Sequence, residues 1–283
     1  MKAAPAILAA VAAALTLVPA AGASFLVDRD ASAVTLRILD GKAVVDYSSR
    51  GEARHAVLWG AIDARRPTPG TAQVAFQVRY GVGRLPGGTC LPYDGPPLPL
   101  LVSACRAPDG SYWALQSWQR LLPNYGGTQA PYELQASHWT GRLPVLQVWL
   151  DWSYGGEFQH LFGRFTYEDS PVYGFHATRQ GNPLDSYGRN VYVDTLDSRY
   201  GAGWRRENGF LTHDPWGTFC YGFYPHGSHP SGVGRSYRIT VLGPGVTPIV
   251  RWEGSAPGGY SRQLDHRLNE TERSFGDPQC RQG

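Results

Sequence analysis

The chain has 283 residues, a formal net charge of +3 and 42% hydrophobic residues. So small a charge argues against nucleic acid or an anionic membrane surface as the partner, because both require a concentrated basic patch. The length suffices for one large β domain or two smaller ones, each with a full hydrophobic core.

Residues 1–23 have the composition of a secretory signal peptide. Lys2 precedes an apolar run, which ends in the small residues Ala21-Gly22-Ala23. Pro19 breaks the run before it reaches the roughly 20 apolar residues that span a bilayer. We therefore predict a secreted, extracellular protein that is cleaved near Ser24 and has no transmembrane segment in its mature chain.

The first half of the mature chain is dominated by strand patterns. Ala33–Leu39 and Lys42–Ser48 flank Asp40-Gly41, a dipeptide typical of a tight hairpin turn. Thr71–Gly81 alternates apolar and polar residues, as a half-buried strand does. Gly83–Asp109 is too rich in glycine and proline for regular structure, except over 98–104, and is predicted to be a loop held by a disulfide.

The middle of the chain reads as an antiparallel meander, because its strands are separated by hairpin-length turns. In Leu143–Trp152 the even-numbered residues from Leu146 onward are apolar and are predicted to face the core, while Trp149 and Asp151 lie on the other face. The predicted strands here are Tyr112–Leu121, Tyr132–Ser137, Leu143–Trp152, Phe158–Tyr167 and Val172–Thr178.

A second round of strands follows, and it echoes the first at an offset of 77 or 78 residues. Gly110 aligns with Gly188, and Pro171 with Pro248, which raises the possibility of an internal duplication. Only Ser261–Phe275 has the apolar spacing of a helix. The predicted strands of this round are Asn190–Asp197, Thr218–Tyr224, Ser236–Leu242 and Thr247–Trp252.

The predicted fold is therefore all-β and antiparallel, a β-sandwich or two related β units, with a short C-terminal helix. We divide the chain into the signal peptide (1–23), an N-terminal hairpin, strands and stapled loop (24–104), a first β unit (105–178), and a second β unit with a C-terminal tail (179–283).

Four cysteines in an exported chain are typical of two disulfides. Of the three possible pairings we favour Cys90–Cys105 and Cys220–Cys280, because each closes a loop within its own part of the chain. No Cys-x-x-Cys spacing is present, and we predict neither a metal site nor a cofactor.

Tryptophan and charged residues provide the first functional hypothesis. Indole rings stack on the apolar faces of sugars, and binding groups tend to lie on loops of a rigid β scaffold, such as the predicted loop Tyr200–Gly217. The hypothesis is a non-catalytic protein that binds a polysaccharide or another cell-envelope component. Its candidate binding residues are Trp149, Trp204, Arg205, Glu207 and Trp216.

Carboxyl groups provide the alternative, a carbohydrate-active hydrolase. A glycosidase needs two carboxyl groups about 5 to 10 Å apart, one of which is kept protonated by an apolar environment. Asp151 lies between Trp149 and Trp152 and has such neighbours, with Glu157 and Asp194 as candidate partners. The sequence leaves both functions open.

Three segments resemble those of an uncharacterised family of secreted bacterial proteins. They are CRAPDGSYWALQSWQR (Cys105–Arg120), GRNVYVDTLDSRYGAGWRREN (Gly188–Asn208) and FCYGFYPHG (Phe219–Gly227). The similarity extends from about His55 to about Gly227. It implies export and a bacterial origin, and it carries over no site residue.

Overall fold

The computed structural model describes residues 24–60, 76–119, 131–167, 170–171, 175–177, 183–185, 190–198, 201–206, 209–213, 218–223, 234–243 and 246–275. Within these ranges the chain forms antiparallel sheets and a single short helix near the C-terminus, which confirms the all-β prediction. The predicted signal peptide, residues 1–23, lies outside the described residues. The helix in the described ranges is too short and too polar to cross a membrane.

Eight strands in residues 24–139 form two four-stranded antiparallel sheets. One sheet has the order β1-β8-β7-β6 and the other the order β2-β3-β4-β5. The strands are β1 (Ser24–Arg29), β2 (Ser32–Leu39), β3 (Lys42–Ser49), β4 (Glu52–Gly60), β5 (Phe76–Val82), β6 (Leu101–Arg106), β7 (Tyr112–Gln119) and β8 (Tyr132–Trp139).

These two sheets pack face to face as a first sandwich. Trp113 and Leu115 of β7 meet Val45 of β3 and Leu58 of β4 in one buried cluster. Each such side chain stabilises the fold by about 1.5–3 kcal/mol through burial. The predicted hairpin is confirmed, since Asp40 and Gly41 have φ of 51° and 70°, the left-handed conformation that a tight hairpin turn requires.

The remaining strands form a second pair of sheets. They are β9 (Val145–Ser153), β10 (Phe158–Tyr167), β11 (Ser170–Pro171), β12 (Phe175–Ala177), β13 (Pro183–Asp185), β14 (Asn190–Ser198), β15 (Gly201–Arg206), β16 (Gly209–His213), β17 (Thr218–Phe223), β18 (Ser236–Gly243) and β19 (Val246–Ser255). In one sheet β10 pairs with β9, β11 and β17, and β17 also pairs with β16. In the other the order is β12-β13-β14-β18-β19, and β15 pairs with β14.

This second pair of sheets also packs face to face. Leu150 of β9 and Phe165 of β10 share a buried cluster with Val193 of β14 and Ile239 of β18. The predicted C-terminal helix is confirmed as α1 (Arg262–Ser274), which contacts β9. The Ser261 side chain caps it by accepting a hydrogen bond from the backbone N–H of Leu264 at 3.4 Å.

Two of the predicted boundaries fall close to paired strands. The proposed boundary between residues 104 and 105 falls inside β6, and that between 178 and 179 separates β12 from β13, which pair with each other. The strand pairing also lacks the internal repeat, because β7 pairs with β8 while their aligned counterparts β14 and β16 lie in different sheets.

The first predicted disulfide is confirmed. Cys90 and Cys105 are bonded with their Cα atoms 5.2 Å apart, and the residue before Cys90 forms an isolated bridge to β2 while the residue after it bridges to β6. Cys220 is also disulfide-bonded. Its predicted partner, Cys280, lies outside the described residues.

One local prediction was wrong. Much of the predicted loop Tyr200–Gly217 is strand, since β15 pairs with β14 and β16 pairs with β17. The glycines of the segment suggested a loop, but Gly203, with φ of 85°, is accommodated inside β15. Trp204 therefore lies on a rigid sheet.

Candidate functional site

The two sandwiches meet through the outer faces of one sheet each. In β7 the odd-numbered residues face the first core, so the even-numbered residues, including Gln116 and Trp118, face the second sandwich. The Trp118 ring packs edge-on against Tyr192 of β14 with ring centroids 5.4 Å apart. Leu242 and Ile249 complete this buried cluster.

Gln116 joins the two sandwiches by hydrogen bonds. Its Nε2 donates to the carbonyl of Pro99 at 2.7 Å and to that of Ile249 at 3.4 Å, and its Oε1 accepts from the N–H of Ile249 at 3.0 Å. The Gln116 side chain is fully buried. The contact is therefore specific in geometry and not merely apolar.

A cleft of about 320 Å³ opens beside this contact, with walls from both sandwiches. The first sandwich contributes Trp118 of β7 and Tyr132 of β8, the latter 55% exposed. The second contributes residues of three strands, Trp204 and Arg205 of β15, Arg238 and Thr240 of β18, and Arg251 of β19. A cleft between two rigid units is a common location for a ligand site.

Sheet pairing explains why these side chains converge. Thr240 lies opposite Arg251 and Asp194 lies opposite Arg238, and residues directly opposite in a ladder share a face. Valines 191 and 193 occupy the other face of β14, in the second core. The face that carries the cleft is therefore the one turned towards the first sandwich.

An arginine–tryptophan stack forms one wall of the cleft. The Arg238 guanidinium carbon lies 4.4 Å from the centre of the Trp204 ring, a cation–π arrangement. Arg238 also lies 3.6 Å from the Asp194 carboxylate and 3.9 Å from that of Glu253, and Arg251 lies 3.5 Å from Glu253. These ion pairs hold both guanidinium groups in place.

Asp194 is fully buried behind this stack. Burial raises the pKa of its carboxyl group, whereas the guanidinium groups of Arg206 and Arg238 act in the opposite direction. Arg206 in turn stacks over the Tyr192 ring at 4.2 Å. Asp194 thus orients arginines and offers no accessible carboxyl group for catalysis.

Arg205 has a different role from the two paired arginines. Arg205 lies on the opposite face of β15 from Trp204. Its Nη1 nevertheless donates a hydrogen bond to the Trp204 carbonyl at 3.1 Å. The Arg205 side chain therefore folds back along the edge of the strand. The described part of the chain gives it no carboxylate partner. Arg205 is therefore the arginine of the cleft lining that no carboxylate of a described residue neutralises.

Three buried polar atoms of the cleft residues make no hydrogen bond with any described residue. They are Nε1 of Trp118, Nε of Arg238 and Oγ1 of Thr240. An unsatisfied buried polar group costs about 1–3 kcal/mol. Such a concentration in one cleft is typical of a place where hydrogen-bonding partners come from outside the chain.

The predicted carboxyl partners of Asp151 lie in different places. Asp151 and Asp194 lie on opposite outer faces of the second sandwich, since Leu150 and Val193 beside them occupy the shared core. Glu157 is exposed in the turn after β9. Asp194 is therefore not a neighbour that could complete a catalytic pair with Asp151.

Asp151 has another carboxyl neighbour, Asp265 of α1. Burial raises the pKa of Asp151 to about 7, while the backbone N–H of Trp152 lowers it through a hydrogen bond of 2.7 Å. The Asp265 carboxyl group raises it further, by a hydrogen bond and by charge repulsion. The Asp151 side chain is fully buried beneath the helix, so this pair joins α1 to the sheet.

A serine, a histidine and an aspartate also meet in the first sandwich. His138 Nε2 lies 2.8 Å from Ser111 Oγ, which donates to Asp109 at 2.6 Å, and His138 Nδ1 lies 3.0 Å from the Gly60 carbonyl. In a catalytic triad the carboxylate bonds the histidine, not the serine, and the serine is accessible. Ser111 is 1% exposed, so this network is structural.

A group with the spacing of metal ligands lies beneath α1. Atoms of His160, Cys220 and Glu272 are within 4.8 Å of one another, and all three residues are buried. Cys220 is disulfide-bonded, however, and it is the thiolate that binds metal. Burial lowers the pKa of His160 to about 4, so the imidazole beside Glu272 is neutral at neutral pH.

The predicted binding residues fall in different places. Trp204 and Arg205 line the cleft, whereas Trp149 lies on the far sheet of the second sandwich, packed against Phe275 at 4.8 Å between ring centroids. Glu207 and Trp216 lie outside the described residues. Four residues of the cleft were not predicted from the sequence, namely Trp118, Arg238, Thr240 and Arg251. Of these, only the two arginines, which interrupt apolar strands, could have been recognised as unusual.

Comparisons with known proteins add no relative. No protein-family model matches the chain, and neither the curated proteins nor the solved structures contain a match.

Proposed function

We propose that this is a secreted, non-catalytic protein that binds a glycan through the cleft between its two sandwiches. The observation that carries the proposal is the Trp204–Arg238 stack in a cleft that Trp118 and Tyr132 line from the other side. Aromatic rings match the apolar faces of sugars, and guanidinium groups match their hydroxyl groups.

Replacing Trp204 by alanine is expected to weaken glycan binding at least about tenfold, because the substitution removes an aromatic wall and the support of Arg238. Titration of the mature protein with cell-wall and storage polysaccharides, followed by calorimetry and by tryptophan fluorescence, measures this. Trp59→Ala is the matched control, since Trp59 is a half-buried tryptophan of β4 away from the cleft. A flat response of the wild-type protein across the whole panel would refute the proposal.

A hydrolase is the second candidate, and it is favoured by the raised pKa of Asp151 and by the neighbouring carboxyl group of Asp265. Because the Asp151 side chain is buried, we rank the hydrolase below the binding function. The pair of Asp151 and Asp265 lies on the face of the second sandwich opposite the cleft, so a hydrolase would act at a separate position. If the chain cleaves a glycan there, turnover should disappear in Asp151→Asn. Persistent turnover in that variant would eliminate Asp151 as the catalytic acid.

A further inference from the structure

The charge of the cleft indicates which class of glycan it would bind. Three arginines line the cleft, and the part of the chain that the structure describes contributes no carboxyl group to its lining. The nearby carboxyl groups of Asp194 and Glu253 contact Arg238 and Arg251 from behind or beside the cleft. Among the described residues, Arg205 has the carbonyl of Trp204 as its hydrogen-bond acceptor and no carboxylate partner. The wall therefore carries excess positive charge at a place where a ligand could reach it.

We infer that the cleft takes an anionic glycan, and that Arg205 is the residue that contacts its acidic group. This inference rests on the proposed function. A neutral sugar needs hydrogen-bond donors and acceptors in a balanced mixture, whereas a cleft with three guanidinium groups supplies an excess of donors. Carboxylate and sulfate groups accept such donors, and a guanidinium offers them two parallel hydrogen bonds.

The three arginines of the cleft differ in how firmly their side chains are held. Arg238 and Arg251 are held by Glu253, and Arg238 also by the Trp204 ring, so they form a rigid cationic wall. When Arg205 turns to a ligand, the hydrogen bond that it exchanges within the described structure is the one to the Trp204 carbonyl. The unsatisfied Trp118 Nε1 and Thr240 Oγ1 lie at the same cleft, where a small shift of side chains would offer them to sugar oxygens.

The test compares oligogalacturonate with the same oligomer after methyl esterification, which removes the charge and keeps the sugar ring. We expect the acidic oligomer to bind at least about tenfold more tightly in low salt, and to lose affinity as the salt rises from about 0.05 M to about 0.5 M. A sulfated galactan oligomer in a third arm distinguishes sulfate from carboxylate as the source of charge.

Variants of Arg205 test whether this residue causes the preference for the acidic oligomer. Arg205→Gln should remove most of the preference for the acidic oligomer, and Arg205→Lys should restore part of it, because the charge returns without the planar pair of donors. Arg79→Gln is the matched control, an exposed arginine of β5 in the first sandwich. A preference that survives in Arg205→Gln overturns the assignment to Arg205.

The outcomes distinguish the inference of an anionic glycan from the proposed glycan binding on which it rests. Equal binding of the acidic oligomer and its ester overturns the anionic inference and leaves glycan binding intact. Absence of binding to every acidic, sulfated and neutral glycan overturns both.

Discussion

Replacement of Gln116 by leucine is expected to lower the free energy of unfolding by about 2–4 kcal/mol. Leucine has nearly the same size, so the loss comes from hydrogen bonds and not from a cavity. The buried N–H and C=O groups of Ile249 and the half-buried C=O of Pro99 would lose the partner that Gln116 provides. Chemical denaturation of the variant and the wild type at neutral pH measures the difference.

The effect should be specific to the contact between sandwiches. Ile249 lies in an irregular part of the β18–β19 ladder, where the register shifts between Val241 and Gly243, so the Gln116 side chain replaces ladder partners there. Calorimetry of Gln116→Leu is expected to show broader unfolding as the sandwiches lose their coupling. Gln77→Leu, the same change at an exposed position of β5, is the control. Equal effects of the two substitutions would contradict the role of Gln116.

Replacement of Asp151 by asparagine is expected to stabilise the protein above neutral pH and to leave its stability nearly unchanged in acid. Burial and the Asp265 carboxyl group raise the pKa of Asp151 from 3.8 to about 7, so the folded protein prefers the protonated form. The stability that this proton provides is complete below about pH 4 and is lost as the pH rises through about 7. Asparagine resembles the protonated acid and cannot lose the proton.

The gain at about pH 8 has an upper bound of about 4 kcal/mol, at roughly 1.4 kcal/mol for each unit of pKa shift, and solvent reaching the pair would reduce it. Denaturation of variant and wild type at about pH 4.5 and about pH 8 gives the difference at each pH. Glu157→Gln, at an exposed carboxyl group in the turn after β9, controls for the loss of one negative charge. A difference that is the same at both pH values would show that Asp151 does not titrate as described.

Local features of the fold were predictable because neighbouring residues determine them. Asp40-Gly41 can take the positive φ values of a tight turn, and Leu264 and Leu268 have helical spacing next to the capping Ser261. The Cys90–Cys105 pairing followed from its short loop. In each case the controlling interaction spans fewer than about twenty residues, which is the range over which sequence patterns are informative.

Sheet partners and the cleft could not be derived in the same way. Trp118 and Arg238 lie far apart in the sequence and meet because β7 and β18 belong to sheets whose outer faces touch. Alternation assigned Trp149 correctly to the outer face of β9, but it could not show that Phe275 covers it. The glycines near Trp204 favoured a loop, and pairing with β14 overrode that local preference.

The residues on either side of Cys90 also affect how open the edges of two sheets are to pairing with another chain. Thr89 pairs with Ile38 of β2 and Leu91 with Arg106 of β6, and these two strands are the outermost members of their sheets. Outermost strands present unpaired N–H and C=O groups, to which a second chain can add and start aggregation. The Cys90–Cys105 bond fixes this segment across both strands. We therefore expect the bond to limit intermolecular association as well as unfolding.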